Sequence, residues 1–185
     1  MAAGALCHAD HSQLLIVDVQ ERLAKVMPEK ILAQVLANTN ILLLAAKKLL
    51  VPVLHTEQYP QGLGGTHTAI RANFSEKPIV KTCFSSCGAD AMADFIAADS
   101  REQWIIMGME AHICVTQTCM DLLSLDKTVF IVADGVCSRT KANFNNAITR
   151  MRQAGAIITN TESVLFEWLG DASHNQFKTL SKLIH

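Results

Sequence analysis

The chain has 185 residues, half of them hydrophobic and 18% charged, and its 16 basic and 17 acidic side chains leave a net charge of −1. That length suits one domain spanning residues 1–185. The near-neutral balance offers no electrostatic footprint for nucleic acid or an anionic membrane, and no run of about 20 uninterrupted apolar residues is present to cross a bilayer.

Gln13-Leu14-Leu15-Ile16-Val17-Asp18 is a continuous apolar run closed by a carboxylate, the pattern of a strand buried on both faces of a parallel sheet. Pro28 opens a helix that runs to about Leu49, because a first-turn proline lacks only an N–H that has no partner there. Val51 to His55 is the second strand, with Pro52 tolerated at its start. Thr56 to Thr68 is a polar loop containing glycines, long for a compact domain and therefore a candidate for function. Pro78 to Lys81 is a short third strand ending in a cation. Ala89 to Ala98 is a helix with Met92, Phe95 and Ile96 inward. Gln103 to Met107 is the fourth strand. After a turn, Cys114 to Leu125 is a helix whose Val115, Cys119, Leu122 and Leu123 share one buried face. Thr128 to Val132 is the fifth strand, closed by Ala133-Asp134-Gly135. Lys141 to Gln153 is a helix capped by Gly155. Ala156 to Thr159 is a sixth strand, and helices at 161–169 and 176–183 end the chain.

Short apolar strands alternating with helices predict a parallel α/β sheet covered on both faces. Ligands of such sheets bind outside the carboxyl ends of the strands. Asp18, Lys81 and Cys114 each end or follow a different strand, so the topology brings them to one rim. Cys114 at a helix N-terminus is expected to have a lowered thiol pKa and to be a ready nucleophile. Asp18 can take its proton and return it to a leaving amine. Lys81 can stabilise both charges, and backbone N–H groups in the turn before Cys114 can hold an oxyanion. Taken singly, each residue also has an ordinary reading. Cys114 can be a packed apolar residue, Asp18 a loop hydrogen-bond acceptor and Lys81 a solvated strand end.

The six cysteines, Cys7, Cys83, Cys87, Cys114, Cys119 and Cys137, lack the density of a secreted scaffold, and no signal peptide precedes them. They read as reduced thiols in a cytoplasmic setting. Cys83 and Cys87 are four apart, but no second Cys/His pair has zinc-ligand spacing. Met1 to Ser12 holds no Lys or Arg, so no mitochondrial transit peptide is expected there.

The motifs Leu-Leu-Ile-Val-Asp18-Val-Gln, Lys81-Thr-Cys-Phe-Ser and Gly-Met-Glu-Ala-His-Ile-Cys114-Val, with Ala-Asp-Gly-Val-Cys-Ser-Arg at 133–139, resemble the isochorismatase-like cysteine hydrolases. Thr-Glu-Gln-Tyr-Pro-Gln-Gly-Leu-Gly at 56–64 and Arg-Met-Arg-Gln-Ala-Gly-Ala at 150–156 look like the isochorismatase domain-containing protein 2 subgroup. The resemblance implies a three-layer α/β/α, Rossmann-like fold on a six-stranded parallel sheet. It assigns Asp18 as base, Lys81 as charge-balancing partner and Cys114 as nucleophile. It also implies a cis peptide at Met109–Glu110, with the Glu110 and Cys114 N–H groups forming the oxyanion hole. It implies no cofactor. True isochorismatases cleave a vinyl ether and several lack the cysteine, so the presence of Cys114 favours hydrolysis of an amide or related C–N bond. Nicotinamidases hold a metal through an Asp-x-His pair and a later histidine. Here the region reads His55-Thr56-Glu57-Gln58, with His67 beyond, so no catalytic metal is expected.

Gln20, Tyr59, Phe84, Glu110 and His112 are expected near the rim as substrate-binding residues, and Arg139 in a structural or interface role. The expected partners are a small-molecule substrate and further copies of the chain, since members of the family commonly form homo-oligomers and the apolar composition fits that. Two alternatives stand beside the hydrolase. Some relatives in the subgroup have been labelled mitochondrial ribonucleases, which keeps a nuclease and a mitochondrial association in view. A catalytically idle interaction protein is the other.

Overall fold

In the computed structural model, which describes residues 6–184, the chain forms one six-stranded sheet. The ends of the 1–185 domain, and the first five residues of the segment expected to lack a transit peptide, lie outside the described residues. In chain order the elements are β1 (Ser12–Val17), α1 (Glu21–Ala24), α2 (Glu29–Leu49), β2 (Val53–Gln58), α3 (Pro60–Leu63), α4 (Thr68–Arg71), β3 (Ile79–Lys81), α5 (Asp90–Ala98), β4 (Gln103–Met109), α6 (Thr116–Ser124), β5 (Thr128–Cys137), α7 (Lys141–Gln153), β6 (Ile157–Thr159), α8 (Thr161–Leu169) and α9 (Phe177–Leu180).

All strand pairs are parallel, in the order β3-β2-β1-β4-β5-β6. Alternate side chains of each strand enter opposite layers. Leu14 and Ile16 of β1 pack with Val35, Leu42 and Leu43 of α2 and with Val164, Leu165 and Trp168 of α8. Leu15 and Val17 face the other way, onto Met92 of α5, Cys119 and Leu122 of α6, and Ala147 and Met151 of α7. This is the expected three-layer α/β/α sandwich, and it explains why the strands are apolar without alternation.

The strand order reverses between β1 and β4, the crevice where ligands of open α/β sheets bind. Gly108 makes that crevice narrow. It pairs with Val17 across the two strands. Its φ of +129° suits only glycine, and a Cβ there would meet the Val17 carbonyl oxygen at 2.0 Å.

Several boundaries differ from the sequence reading. Pro28 is the N-cap of α2 rather than its first residue. β2 begins two residues later than expected and continues through Thr56, Glu57 and Gln58, so the polar loop starts only at Tyr59. Those residues read as loop because they are polar, yet all are buried and hydrogen-bonded. β4 reaches Met109 and β5 reaches Cys137, both beyond their apolar cores. No helix among the described residues is long and apolar enough to cross a membrane.

Candidate active site

Asp18 follows β1 directly and has a φ of 49°, so the chain turns as the strand ends. Lys81 is the last residue of β3 and sits opposite Gln58 in the parallel register. One strand, β2, separates their backbones, but both side chains are fully buried and meet: Lys81 Nζ lies 2.7 Å from Asp18 Oδ2. The ammonium also donates toward Gln58 Oε1 at 2.8 Å, the Phe84 carbonyl at 3.0 Å and the Cys83 carbonyl at 3.2 Å. Three N–H groups thus face four acceptors. On the other side of the carboxylate, Thr56 Oγ1 donates to Asp18 Oδ1 at 2.6 Å. Thr56 and Gln58 were missed by the sequence reading. The signal lay in the strand period: Thr56 and Gln58 alternate onto the face that carries Asp18 and Lys81.

Cys114 was expected as the first residue of a long helix. It sits instead inside a π-helical turn, Ala111–Val115, and α6 begins only at Thr116. Thr116 Oγ1 donates to the Ala111 carbonyl at 2.6 Å and closes that wide turn. The peptide before it, Met109–Glu110, is cis. The Glu110 N–H takes no part in the described hydrogen bonds. The Cys114 side chain is buried in the α5–α6–α7 layer, where the charges of both Asp18 and Lys81 act on it.

The expected low thiol pKa is not found. Burial, then the nearby Asp18 carboxylate, push the Cys114 thiol up to about 12, against the opposing pull of the Lys81 ammonium. Burial and the carboxylate both favour the protonated thiol. Helix-dipole reasoning failed here because the cysteine lies below the surface and the effect of a carboxylate outweighs that of the ammonium.

The other expected contacts divide. Gln20 is fully buried: its amide accepts from the Gln58 N–H at 2.7 Å and donates to the carbonyls of Gln58 and Gly64. Glu110 is held by Arg139, whose N–H and Nε donate to Glu110 Oε2 at 3.1 and 3.0 Å. His112 lies between Ser138 Oγ, 3.0 Å from Nδ1, and the Asn143 amide, 3.3 Å from Nε2, which ties the Cys114 turn to β5 and α7. Tyr59 and Phe84 are 54% and 55% exposed, so neither is a core residue. The Tyr59 ring lies on Gly62, where a Cβ would come within 2.5 Å of it.

The described cavities, of about 560 and 500 Å³, are lined by none of Asp18, Lys81 and Cys114. The larger one lies between α2, the end of β5 and α7, beside Cys137 and Ser138. Of the two histidines considered as metal ligands, His55 is stacked on Phe74 with ring centroids 3.8 Å apart, and His67 caps α4 through Nδ1. Among the described residues no group of three or more His, Cys, Asp or Glu side chains could hold a metal ion.

A family model described as the isochorismatase domain matches residues 12–163. The chain belongs to the isochorismatase family. This isochorismatase-family chain is 39% identical over 180 residues to the secreted isochorismatase effector Isc1 of Phytophthora sojae, covering 94% of the chain and 85% of that protein. It is 35% identical over 173 residues to isochorismatase domain-containing protein 2 of Bos taurus, covering 94% of the chain and 82% of that protein. Among solved structures, the MAR1 ribonuclease from Caenorhabditis elegans superposes with a TM-score of 0.90 at 35% identity, over 97% of this chain and 92% of that one. Family membership places this chain among the isochorismatase-like hydrolases, and the likeness to the domain-containing protein 2 subgroup agrees with the motifs at 56–64 and 150–156.

Proposed function

We propose that this chain is a cysteine hydrolase that cleaves an amide or related C–N bond of a small metabolite through a thioester on Cys114. The observation that carries this reading is the buried Lys81–Asp18 pair at 2.7 Å, whose two charges both act on the buried Cys114 thiol. Taking two charges out of water is costly unless the geometry is good.

In this mechanism Asp18 accepts the Sγ proton as sulfur attacks the substrate carbonyl carbon. The carbonyl oxygen becomes an oxyanion and is held by the Glu110 and Cys114 N–H groups. Protonated Asp18 then gives its proton to the departing amine as the C–N bond breaks, leaving the thioester. Asp18 next takes a proton from water, whose oxygen attacks the thioester carbonyl, and returns that proton to the Cys114 sulfur. Lys81 passes no proton to the substrate, since its N–H groups are already committed. Its charge offsets that of Asp18 and stabilises the thiolate as it forms. A thiol that is neutral at rest suits this scheme, because the nucleophile is generated only when Asp18 removes the proton.

Screening a small amide library for ammonia release, with isochorismate as the vinyl-ether comparator, tests the reading. Cys114→Ala is expected to retain the fold and lose turnover. A Cys114→Ala protein with full activity would refute the thioester. The likeness to the MAR1 ribonuclease supports a second reading, RNA cleavage on the same fold. Salt-sensitive RNA binding and cleavage surviving Cys114→Ala would favour it.

We read the six unpaired cysteines as suited to a reducing, cytoplasmic compartment. The exposed Tyr59, Val80 and Phe84 beside edge strand β3 support self-association at the rim of the site. Sedimentation analysis tests that association.

A further inference from the structure

Gln58 is the least expected member of the buried cluster, and every polar group it owns is used. Its N–H donates to Gln20 Oε1 at 2.7 Å and its carbonyl accepts from Gln20 Nε2 at 3.1 Å. Its side-chain Nε2 donates to the Thr82 carbonyl at 2.7 Å, and its Oε1 accepts from Lys81 Nζ at 2.8 Å. The amide has only one workable orientation. Reversed, its NH₂ would face the ammonium and its oxygen would face the Thr82 carbonyl, replacing two attractions with two repulsions. The backbone is equally constrained. Gln58 and Lys81 are direct partners in the β2–β3 register, and the Tyr59 N–H donates to the Lys81 carbonyl at 2.9 Å, holding that register to the last residue.

The consequence concerns Lys81. Its four acceptors are one carboxylate, one amide oxygen and two loop carbonyls. The loop carbonyls belong to Cys83 and Phe84, in the non-strand stretch that follows β3. Gln58 is the one neutral acceptor anchored in the sheet itself. We propose that Gln58 is a positioning residue for the Cys114 chemistry: its amide oxygen, locked by Thr82 and by the Gln20 clasp, fixes the Lys81 ammonium against Asp18, where the positive charge acts on the sulfur. This rests on the Asp18–Lys81–Cys114 reading above and adds a residue that acts through Lys81 without touching substrate.

The test is the rate of Cys114 carbamidomethylation by iodoacetamide, followed by mass spectrometry of the Cys114 peptide from pH 7 to 10, beside thermal melts of each variant. Gln58→Met keeps the length and bulk of the side chain but removes the acceptor. It is expected to fold and to alkylate Cys114 about tenfold more slowly at each pH, the effect of one unit in the thiol pKa. Gln58→Glu puts a second carboxylate on the ammonium and a further negative charge near the sulfur, and is expected to slow alkylation more. Asp18→Asn separates the two readings. A Cys114 rate that ignores Asp18→Asn overturns the proposed triad. A rate that responds to Asp18→Asn but is unchanged in folded Gln58→Met and Gln58→Glu overturns the role of Gln58 alone. Failure of both Gln58 variants to fold would make its role structural and overturns the inference as well.

Discussion

Gly108 in β4 and Val17 in β1 are packed backbone against backbone, with no room for a single carbon between them: a Cβ on Gly108 would lie 2.0 Å from the Val17 carbonyl oxygen and 2.7 Å from its nitrogen. That contact sets the width of the crevice between the end of β1, which carries Asp18, and the end of β4, which leads into the Cys114 turn. Gly108→Ala adds both a backbone clash and a left-handed φ. It is expected to cost more than about 3 kcal/mol of stability, in the range reserved for overpacking combined with backbone strain. Urea denaturation measures it. A midpoint within error of the parent would show that β1 and β4 can separate freely.

The Asp18–Lys81 pair is buried on both sides. Lys81→Met leaves a carboxylate in the core without its cation, a loss expected to be about 3–5 kcal/mol. In the double variant Asp18→Asn/Lys81→Met neither charge remains, so its destabilisation is expected to fall well short of the sum of the single changes. A double-mutant cycle in urea gives the coupling directly. Simple additivity would mean that the two side chains do not interact in solution.

The raised thiol pKa of Cys114 makes a kinetic prediction. With the value near 12, the thiolate is scarce at neutral pH. Iodoacetamide at pH 7 should therefore label the half-buried Cys83 before Cys114. The Cys114 rate should climb by about tenfold per pH unit up to pH 10. A Cys114 rate already level at pH 7 would place the thiol far lower than its burial and the Asp18 carboxylate dictate.

His55 links stability to pH. Burial drops its pKa from 6.5 to about 4, with Glu57 opposing. The folded state therefore binds fewer protons than the unfolded state between those values, so this contribution is fully present above about pH 6.5 and is lost as pH falls toward 4. Its size is at most about 3 kcal/mol. The urea midpoint should decline across that window and decline less in His55→Phe, which keeps an aromatic ring against Phe74. An identical slope in the variant would assign the decline to carboxylates elsewhere.

Sequence alone determined the elements and the rim. The apolar run at residues 13–17 cannot sit in an alternating, half-solvated strand, and strands of that kind separated by helices have essentially one sheet architecture open to them. From that, Asp18, Lys81 and Cys114 fall on one edge, because parallel strands all end on the same side. What tertiary structure decided was everything set by distance and dielectric. β2 extends through the polar residues Thr56 to Gln58 because their partners, Asp18, Thr66 and Lys81, arrive from elsewhere in the chain. Gln20 and Glu110 are hydrogen-bonded to Gln58 and Arg139, partners distant along the chain. The Cys114 thiol pKa is raised because burial and a carboxylate outweigh an ammonium, a balance no local pattern encodes. Residue spacing along a strand fixes which face a side chain takes, whereas the charge state of a buried group depends on which other groups the fold brings within a few ångströms of it.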